Sequence, residues 1–423
     1  RKTFVELAAL GIDEDSLLTK DQLYMWTKRK SFIKVENNTY CSPAGVGQKA
    51  PRLISGAQPQ FICIVGPWIA ALQQVIKRRW NTKSFMAFTS GLQARKVAEF
   101  VYEEGWKPLE DDVGKWDASV RRPFCEYEVW LAEQFGAPRA VLDLMRANIQ
   151  THGDTTHGWR YKIDATRKSG DPYTSLFNSI LNGLTHLYLY HKFNWLRSGD
   201  LRAFLAYSLA NWLFLRSRIK MALQGDDNAL VHAEHYKYPW QIGMEYLGFE
   251  AEAIYRESFD TLEFCSCRFY KAQTTTGDSA VTFGPKPGKV LAKFGVVIDP
   301  PKDVEPKCLL RGICLGLRKQ VEFIPPLAAV VDRGLVLTEG SEAVFARRAH
   351  EYSMRFGDNA NLVVTPHILY MLDHVYGWST TFQSLFELNL NNLQLGDSYN
   401  DILADLLMDK DLSIPTLRCI FPQ

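Results

Sequence analysis

The sequence predicts an α+β fold, and three observations carry that reading. Residues 221–231 place two short strand-forming runs on either side of Gly225-Asp226-Asp227-Asn228, the pattern of a β-hairpin with acids at its tip. Residues 263–270, rich in aromatic residues and cysteine, read as a further strand, with Cys265 and Cys267 on one face. Apolar residues recur at helical spacing in 68–80, 92–102, 123–134 and 173–182.

Composition bounds the answer without choosing a function. The chain has 423 residues, 46% of them hydrophobic and 23% charged, which is ordinary for a globular protein with a substantial core. Its length suggests roughly two or three subdomains. A formal charge of +2 is too mild to mark a nucleic-acid partner by itself, so any basic surface must be local. Eight cysteines form no Cys-x-x-Cys pair and no regular framework, which favours a reduced, intracellular setting over a secreted one. No apolar run reaches membrane-spanning length and no signal-peptide pattern opens the chain. A start at Arg1 rather than Met is what a processed chain or a piece of a longer one shows, and an anchor could lie outside it.

Residues 1–34 read as helical, capped at Asp13 or Asp15, and then turn basic at Lys28, Arg29, Lys30 and Lys34. A Gly/Pro/Ser-rich loop leads on to Lys49-Ala50-Pro51-Arg52. Charge runs are usually solvated faces; the functional alternative is a groove where Lys34, Lys49 and Arg52 meet a polyanion. In 108–120, Asp112 and Asp117 stand five apart, one expected at a strand end and the other at the start of a helix. A capped loop-to-helix junction would look the same.

Lys168-Ser169-Gly170-Asp171-Pro172 is a tight turn by composition, and a helix follows it. On that helix Thr174, Asn178 and Asn182 recur at i, i+4 and i+8 and share one face. Thr and Asn are poor choices for a merely exposed helix, so this stripe is expected to face a ligand. Gly-Asp-Asp alone arises by chance in about one chain in ten of this length. Adjacent carboxylates on a turn repel, however, and a divalent cation relieves that repulsion; Mg²⁺ takes one or two carboxylates and leaves its other positions to water and phosphate. Residues 238–260 read as a helix and a turn. Beyond residue 272 the patterns are mainly helical, as in 341–356 and 367–378, and His350, His367 and His374 read as structural. A metal site joining Cys265 and Cys267 to His232 and His235 fits no standard zinc spacing, and buried cysteine is the better reading.

Taken in order, these stretches resemble the signature motifs of viral RNA-dependent RNA polymerases, with a flavour similar to tombus-like and noda-like replicases of positive-strand viruses. Asp112…Asp117 looks like motif A, Ser169-Gly170…Thr174…Asn178 like motif B, and Gly225-Asp226-Asp227 like motif C. Residues 264–270 look like motif E, and Lys34 with Pro51-Arg52-Leu53-Ile54 like motif F. The resemblance implies a right hand with an RRM-like antiparallel palm sheet. Its fingers would be 1–104 and 128–164, its palm 105–127 and 165–271, and its mostly helical thumb 272–423. It implies template-directed RNA synthesis from ribonucleoside triphosphates, replicating a viral RNA genome.

The same resemblance implies two Mg²⁺ ions (Mn²⁺ as a substitute) on Asp112, Asp226 and Asp227. The ribose would meet Asp117, Ser169, Thr174 and Asn178, and the triphosphate Lys34, Lys49 and Arg52. Partners would be template and nascent RNA, the nucleotides and other viral replication proteins, in membrane-associated complexes of the host cytoplasm, with no membrane span in the chain itself. The sequence departs from the family twice. The segment before Asp112 is polar for a core strand, so Asp111 is an alternative ligand. Where a lysine usually serves the pyrophosphate, the nearest candidate is Arg256, which does not readily give up a proton. Two rivals stand beside this reading. A reverse transcriptase is disfavoured by Asp117 with Asn178, and a catalytically silent RNA-binding scaffold by the intact acids.

Overall fold

The computed structural model describes residues 2–34, 52–198, 216–233, 240–297, 300–345, 355–396 and 401–412. They divide into two units: the described residues within 1–34, 50–89 and 109–255 form the first, and those within 90–108 and 256–423 the second. Both mix helices with sheets.

In the first unit the helices, among the described residues, are α1 (Lys2–Ala9), α2 (Lys20–Thr27), α3 (Pro59–Arg79), α5 (Trp116–Ser119), α6 (Arg122–Gln134), α7 (Arg139–Ile149), α8 (Thr174–Ser198) and α9 (Trp240–Tyr246); α4 (Ala94–Val101) belongs to the second. The expected hairpin is present as β7 (Ile219–Gln224) and β8 (Asp227–His232), paired antiparallel from Ile219–His232 to Gln224–Asp227. Gly225 and Asp226 form a two-residue turn, with Gly225 at φ +69°, a conformation glycine adopts without steric cost. The hairpin sits inside a five-stranded sheet ordered β3-β7-β8-β4-β9, where β3 is Met86–Phe88, β4 is Lys107–Val113 and β9 is Ala251–Tyr255. β3 runs parallel to β7, and β4 pairs antiparallel with β9.

Helix α8 packs against β7 at Gly183, where an added Cβ would come 2.7 Å from Leu223 and 3.0 Å from Trp80. Only a residue without a side chain allows so close a backbone approach. A second sheet of the same unit is ordered β2 (Leu53–Gly56), β1 (Arg29–Ile33), β5 (Gln150–Thr155) and β6 (Arg160–Asp164).

Several expectations are corrected. The helix cap near the N-terminus is Thr19, in a capping box with Gln22, while Asp13 closes a local turn with Ser16. Helix α3 begins nine residues before the expected start at Trp68, and by length and composition it could cross a membrane, contrary to the reading that no run is long enough. Here Phe61, Ile64, Val65, Ile69, Leu72 and Ile76 bury one side of it in the core of the first unit. Residues 251–255, read as a turn, form strand β9 beside β4; Ala and Glu are weak strand formers, so pairing rather than propensity makes this strand.

In the second unit the expected strand at 263–270 is a hairpin. β10 (Glu263–Phe264) and β11 (Cys267–Thr274) flank Cys265 and Ser266, both at positive φ (51° and 60°), so the two cysteines do not share a strand face. β12 (Ser279–Pro285) and β13 (Leu362–Val363) both pair with β11. Around them stand the helices Pro306–Val321, Pro325–Leu337, Pro366–Tyr376, Thr380–Asn391 and Ile402–Leu412, with Phe323, Ile324, Leu372, Tyr376 and Phe386 in one core. Residues 341–345 form no helix; 346–354, including His350, lie outside the described residues, as does His235.

Candidate active site

The acidic turn is held from one side by α8. Ser175, Ser179 and Asn182 recur at i, i+4 and i+7 and so point the same way. The Gly225 amide donates to Ser179 Oγ at 2.7 Å, Asn182 Nδ2 donates to the carbonyls of Gly225 (3.3 Å) and Asp226 (2.8 Å), and Gln224 Nε2 reaches Ser175 Oγ. Asn228 Nδ2 in turn donates to Asn182 Oδ1. Every one of these bonds uses the turn's backbone or its flanks. The carboxylates of Asp226 and Asp227 remain exposed at the tip.

Asp117 stands in the first turn of α5, directly after the strand that ends beyond Asp112. Its Oδ1 accepts from Asn178 Nδ2 at 3.1 Å, and its backbone carbonyl accepts from the Arg167 amide at 2.7 Å. Behind Asn178 the network continues into the core. Asn178 Oδ1 accepts from Arg167 Nε at 2.8 Å, and Arg167 meets both oxygens of Glu128 through its two terminal nitrogens, one of them at 2.9 Å. Both members of that ion pair are buried. Burial pushes the Asp117 carboxyl above the ordinary range, against the Asn178 hydrogen bond and the Arg167 charge; the charge of Asp226 pushes the same way. The acids of the turn and of α5 are therefore close enough to feel each other.

Asp112 is exposed near the end of β4, whose neighbours in the sheet are β8 and β9. Directly across from it on β9 stands Glu252, and both line an open groove with Gly114, Glu245, Glu250 and Ala251. Like charges directly opposite on neighbouring strands repel, and a cation offsets this. Among the described residues no three His, Cys, Asp or Glu side chains form a ready-made metal cage. The donor set is nonetheless the hard-oxygen one that suits Mg²⁺, which binds through one or two carboxylates with water and phosphate completing the shell.

The remaining expected residues fall as follows. Thr174 Oγ1 donates to the Lys168 carbonyl and closes the loop into α8, and Ser169 Oγ accepts from the Ser55 amide on β2. Asn178 and Asn182 are both buried, so the stripe expected to face a ligand is bonded to protein at Asp117, Arg167 and the hairpin turn. The Lys34 amide donates to the Arg52 carbonyl, which sets these two residues side by side at the ends of β1 and β2. Lys49 lies outside the described residues, and Arg256 belongs to the second unit.

Gly170 is required by proximity rather than by φ. It bridges Gly56 on β2, and a Cβ placed on it would lie 2.2 Å from the Ser55 carbonyl oxygen. Backbone cannot yield as a flexible side chain does, so Gly170→Ala is expected to lower stability by about 1–3 kcal/mol. Denaturant unfolding checks it; an unchanged midpoint would mean that β2 moves away freely.

Sequence reading missed Glu128, Arg167 and Ser179. A signal for Glu128 exists: it sits on the apolar stripe Cys125, Val129, Ala132 of α6, where a charge must be paired. Arg167 has none beyond its place ahead of Ser169-Gly170.

With this geometry described, comparison with known proteins adds two findings. An alignment of 236 positions, covering 49% of this chain and 31% of the relative, is 26% identical to the RNA-directed RNA polymerase of Oat chlorotic stunt virus (isolate United Kingdom). The chain thus matches about a third of that relative's length. The family model described as RNA dependent RNA polymerase matches residues 13–305, a span that contains Asp112, Asp117, Asn178, Asp226 and Asp227. The chain belongs to the RNA-dependent RNA polymerase family.

Proposed function

We propose that this chain synthesises RNA on an RNA template from ribonucleoside triphosphates, replicating a viral genome together with other replication proteins. The observation that carries the reading is that one helix, α8, holds both the Asp226 turn and the side chain of Asp117, beside the strand bearing Asp112. Phosphoryl transfer asks for little covalent chemistry from a protein; positioning and charge neutralisation supply most of the rate.

Asp112 and Asp226 would hold two Mg²⁺ ions, with Asp227 at their edge. When bound, such ions make the attacking 3′-hydroxyl more acidic and neutralise charge growing on the leaving pyrophosphate. The chain's own residues do the rest. Asp117 accepts from the ribose 2′-hydroxyl, and Asn178 fixes the direction of its carboxylate. A deoxynucleotide offers that half-buried acceptor no hydroxyl, which is where preference for RNA precursors comes from. Lys34 and Arg52, with Lys49, neutralise the triphosphate. In the right-hand description, strands β4, β7, β8 and β9 of the five-stranded sheet belong to the palm, and 272–423 would be the thumb.

The test is nucleotide incorporation on a short RNA template with Mg²⁺ or Mn²⁺. Template-dependent product that prefers ribonucleotides is expected, and none without a divalent cation. RNA binding with no incorporation under any metal would overturn the reading in favour of a silent scaffold.

A further inference from the structure

We infer that Arg167, clamped by Glu128, is the positioning residue that sets ribose selectivity by dictating which way the Asn178 amide faces. This rests on the polymerase reading and deepens it. An asparagine amide has one accepting end and one donating end, and the two are nearly the same shape. Asp117, when ionised, needs the donating end. Nothing about Asn178 itself guarantees that orientation; its other neighbour does. Arg167 can only donate, and its Nε lies 2.8 Å from Asn178 Oδ1. The accepting end is therefore drawn to Arg167, and Nδ2 is left for Asp117 at 3.1 Å. A flipped amide would set oxygen against carboxylate on one side and N–H against guanidinium N–H on the other, a double mismatch.

Glu128 makes the arrangement rigid. It accepts from both terminal nitrogens of Arg167, so the guanidinium plane is fixed and only Nε is left toward Asn178. The Tyr173 ring lies beside the guanidinium carbon at 5.6 Å, and the Arg167 amide ties the Asp117 backbone. Arg167 reaches both atoms of Asp117 that matter, its carboxylate through Asn178 and its main chain directly. It does so from inside the core, without touching a nucleotide.

Arg167→Lys tests this. Lysine keeps the charge and can still pair with Glu128, but it has no planar fork and no Nε. The preference for ribo- over 2′-deoxyribonucleotides, as a ratio of kcat/KM values, is expected to fall about tenfold, the worth of one buried hydrogen bond to a charged group. The loss should come mainly from the ribonucleotide. Glu128→Asp, which pulls the fork back by one methylene, should move the ratio the same way. In an Asn178→Ala background, Arg167→Lys should cause no further loss of preference, because the pathway runs through the amide.

A merely structural role predicts that ribo- and deoxyribonucleotide rates fall together. An unchanged ratio in both Arg167→Lys and Glu128→Asp, or a full additional loss in the Asn178→Ala background, overturns the inference while the polymerase reading stands. If the unaltered chain incorporates no nucleotide on a template, the polymerase reading falls and this inference with it.

Discussion

Asp226→Ala is expected to keep the fold and lose at least about a thousandfold in nucleotide incorporation, since a metal-borne charge is worth several kcal/mol in the transition state. Structural tolerance follows from what holds the turn. Gly225 donates its amide to Ser179, and the carbonyls of Gly225 and Asp226 accept from Asn182. None of these bonds uses the Asp226 carboxylate, which is exposed. Removing it leaves the hairpin register and the α8 contacts in place, so thermal melting should shift little. Asp112→Ala is expected to match it in rate, because the two carboxylates share one task. The measurement is single-nucleotide extension at saturating Mg²⁺, beside a melting curve of each variant. A folded Asp226 variant retaining a tenth or more of the activity would move the metal elsewhere, with Glu252 and Glu250 in the groove beside Asp112 as the next candidates.

How much of this arrangement the sequence discloses depends on the range of the interactions. The Gly225-Asp226 hairpin is legible because turn type and flanking strands are local properties, and glycine at positive φ is a local need. The strand-to-helix passage from Asp112 to Asp117 is legible for the same reason. The order of the motifs identifies the family, and the match over 13–305 agrees. Strand β9 is not legible: Ala251-Glu252-Ala253 has no strand preference, and it is β4 that makes it a strand. Neither is the break at Cys265-Ser266, where a run rich in aromatic residues promises an unbroken strand and two positive φ values end it. Asn182 shows a third limit. Helical spacing places it on the same face as Asn178, yet cannot say that its partner is the backbone of a turn 44 residues away. The interior polar network is hardest of all to read, because Glu128 and Arg167 meet across 39 residues.

That network carries the second large effect, on stability. Glu128→Ala is expected to cost about 3–5 kcal/mol, the usual penalty for stranding one member of a buried ion pair. The reasoning is an asymmetry. Burial alone pushes the Glu128 carboxyl above its ordinary range, and the Arg167 charge is what opposes that shift. With the carboxylate gone, the guanidinium keeps, among the described residues, the Asn178 oxygen as a side-chain acceptor and the Tyr173 face beside it. A buried cation left that poorly satisfied is far more costly than the pair was favourable. The double change Glu128→Leu with Arg167→Met should therefore recover much of the loss, since replacing both partners by apolar groups of similar volume removes the stranded charge. Stability and selectivity should then part company. The double variant should fold well and still discriminate poorly between ribo- and deoxyribonucleotides, because methionine offers Asn178 no donor. Denaturant unfolding of the three proteins checks the first half, with tryptophan fluorescence following the first unit through buried Trp116 and Trp240. A loss below about 1 kcal/mol for Glu128→Ala would mean that water reaches the guanidinium and that the pair is solvated. Recovery of selectivity along with stability in the double variant would mean that Asn178 holds its orientation unaided.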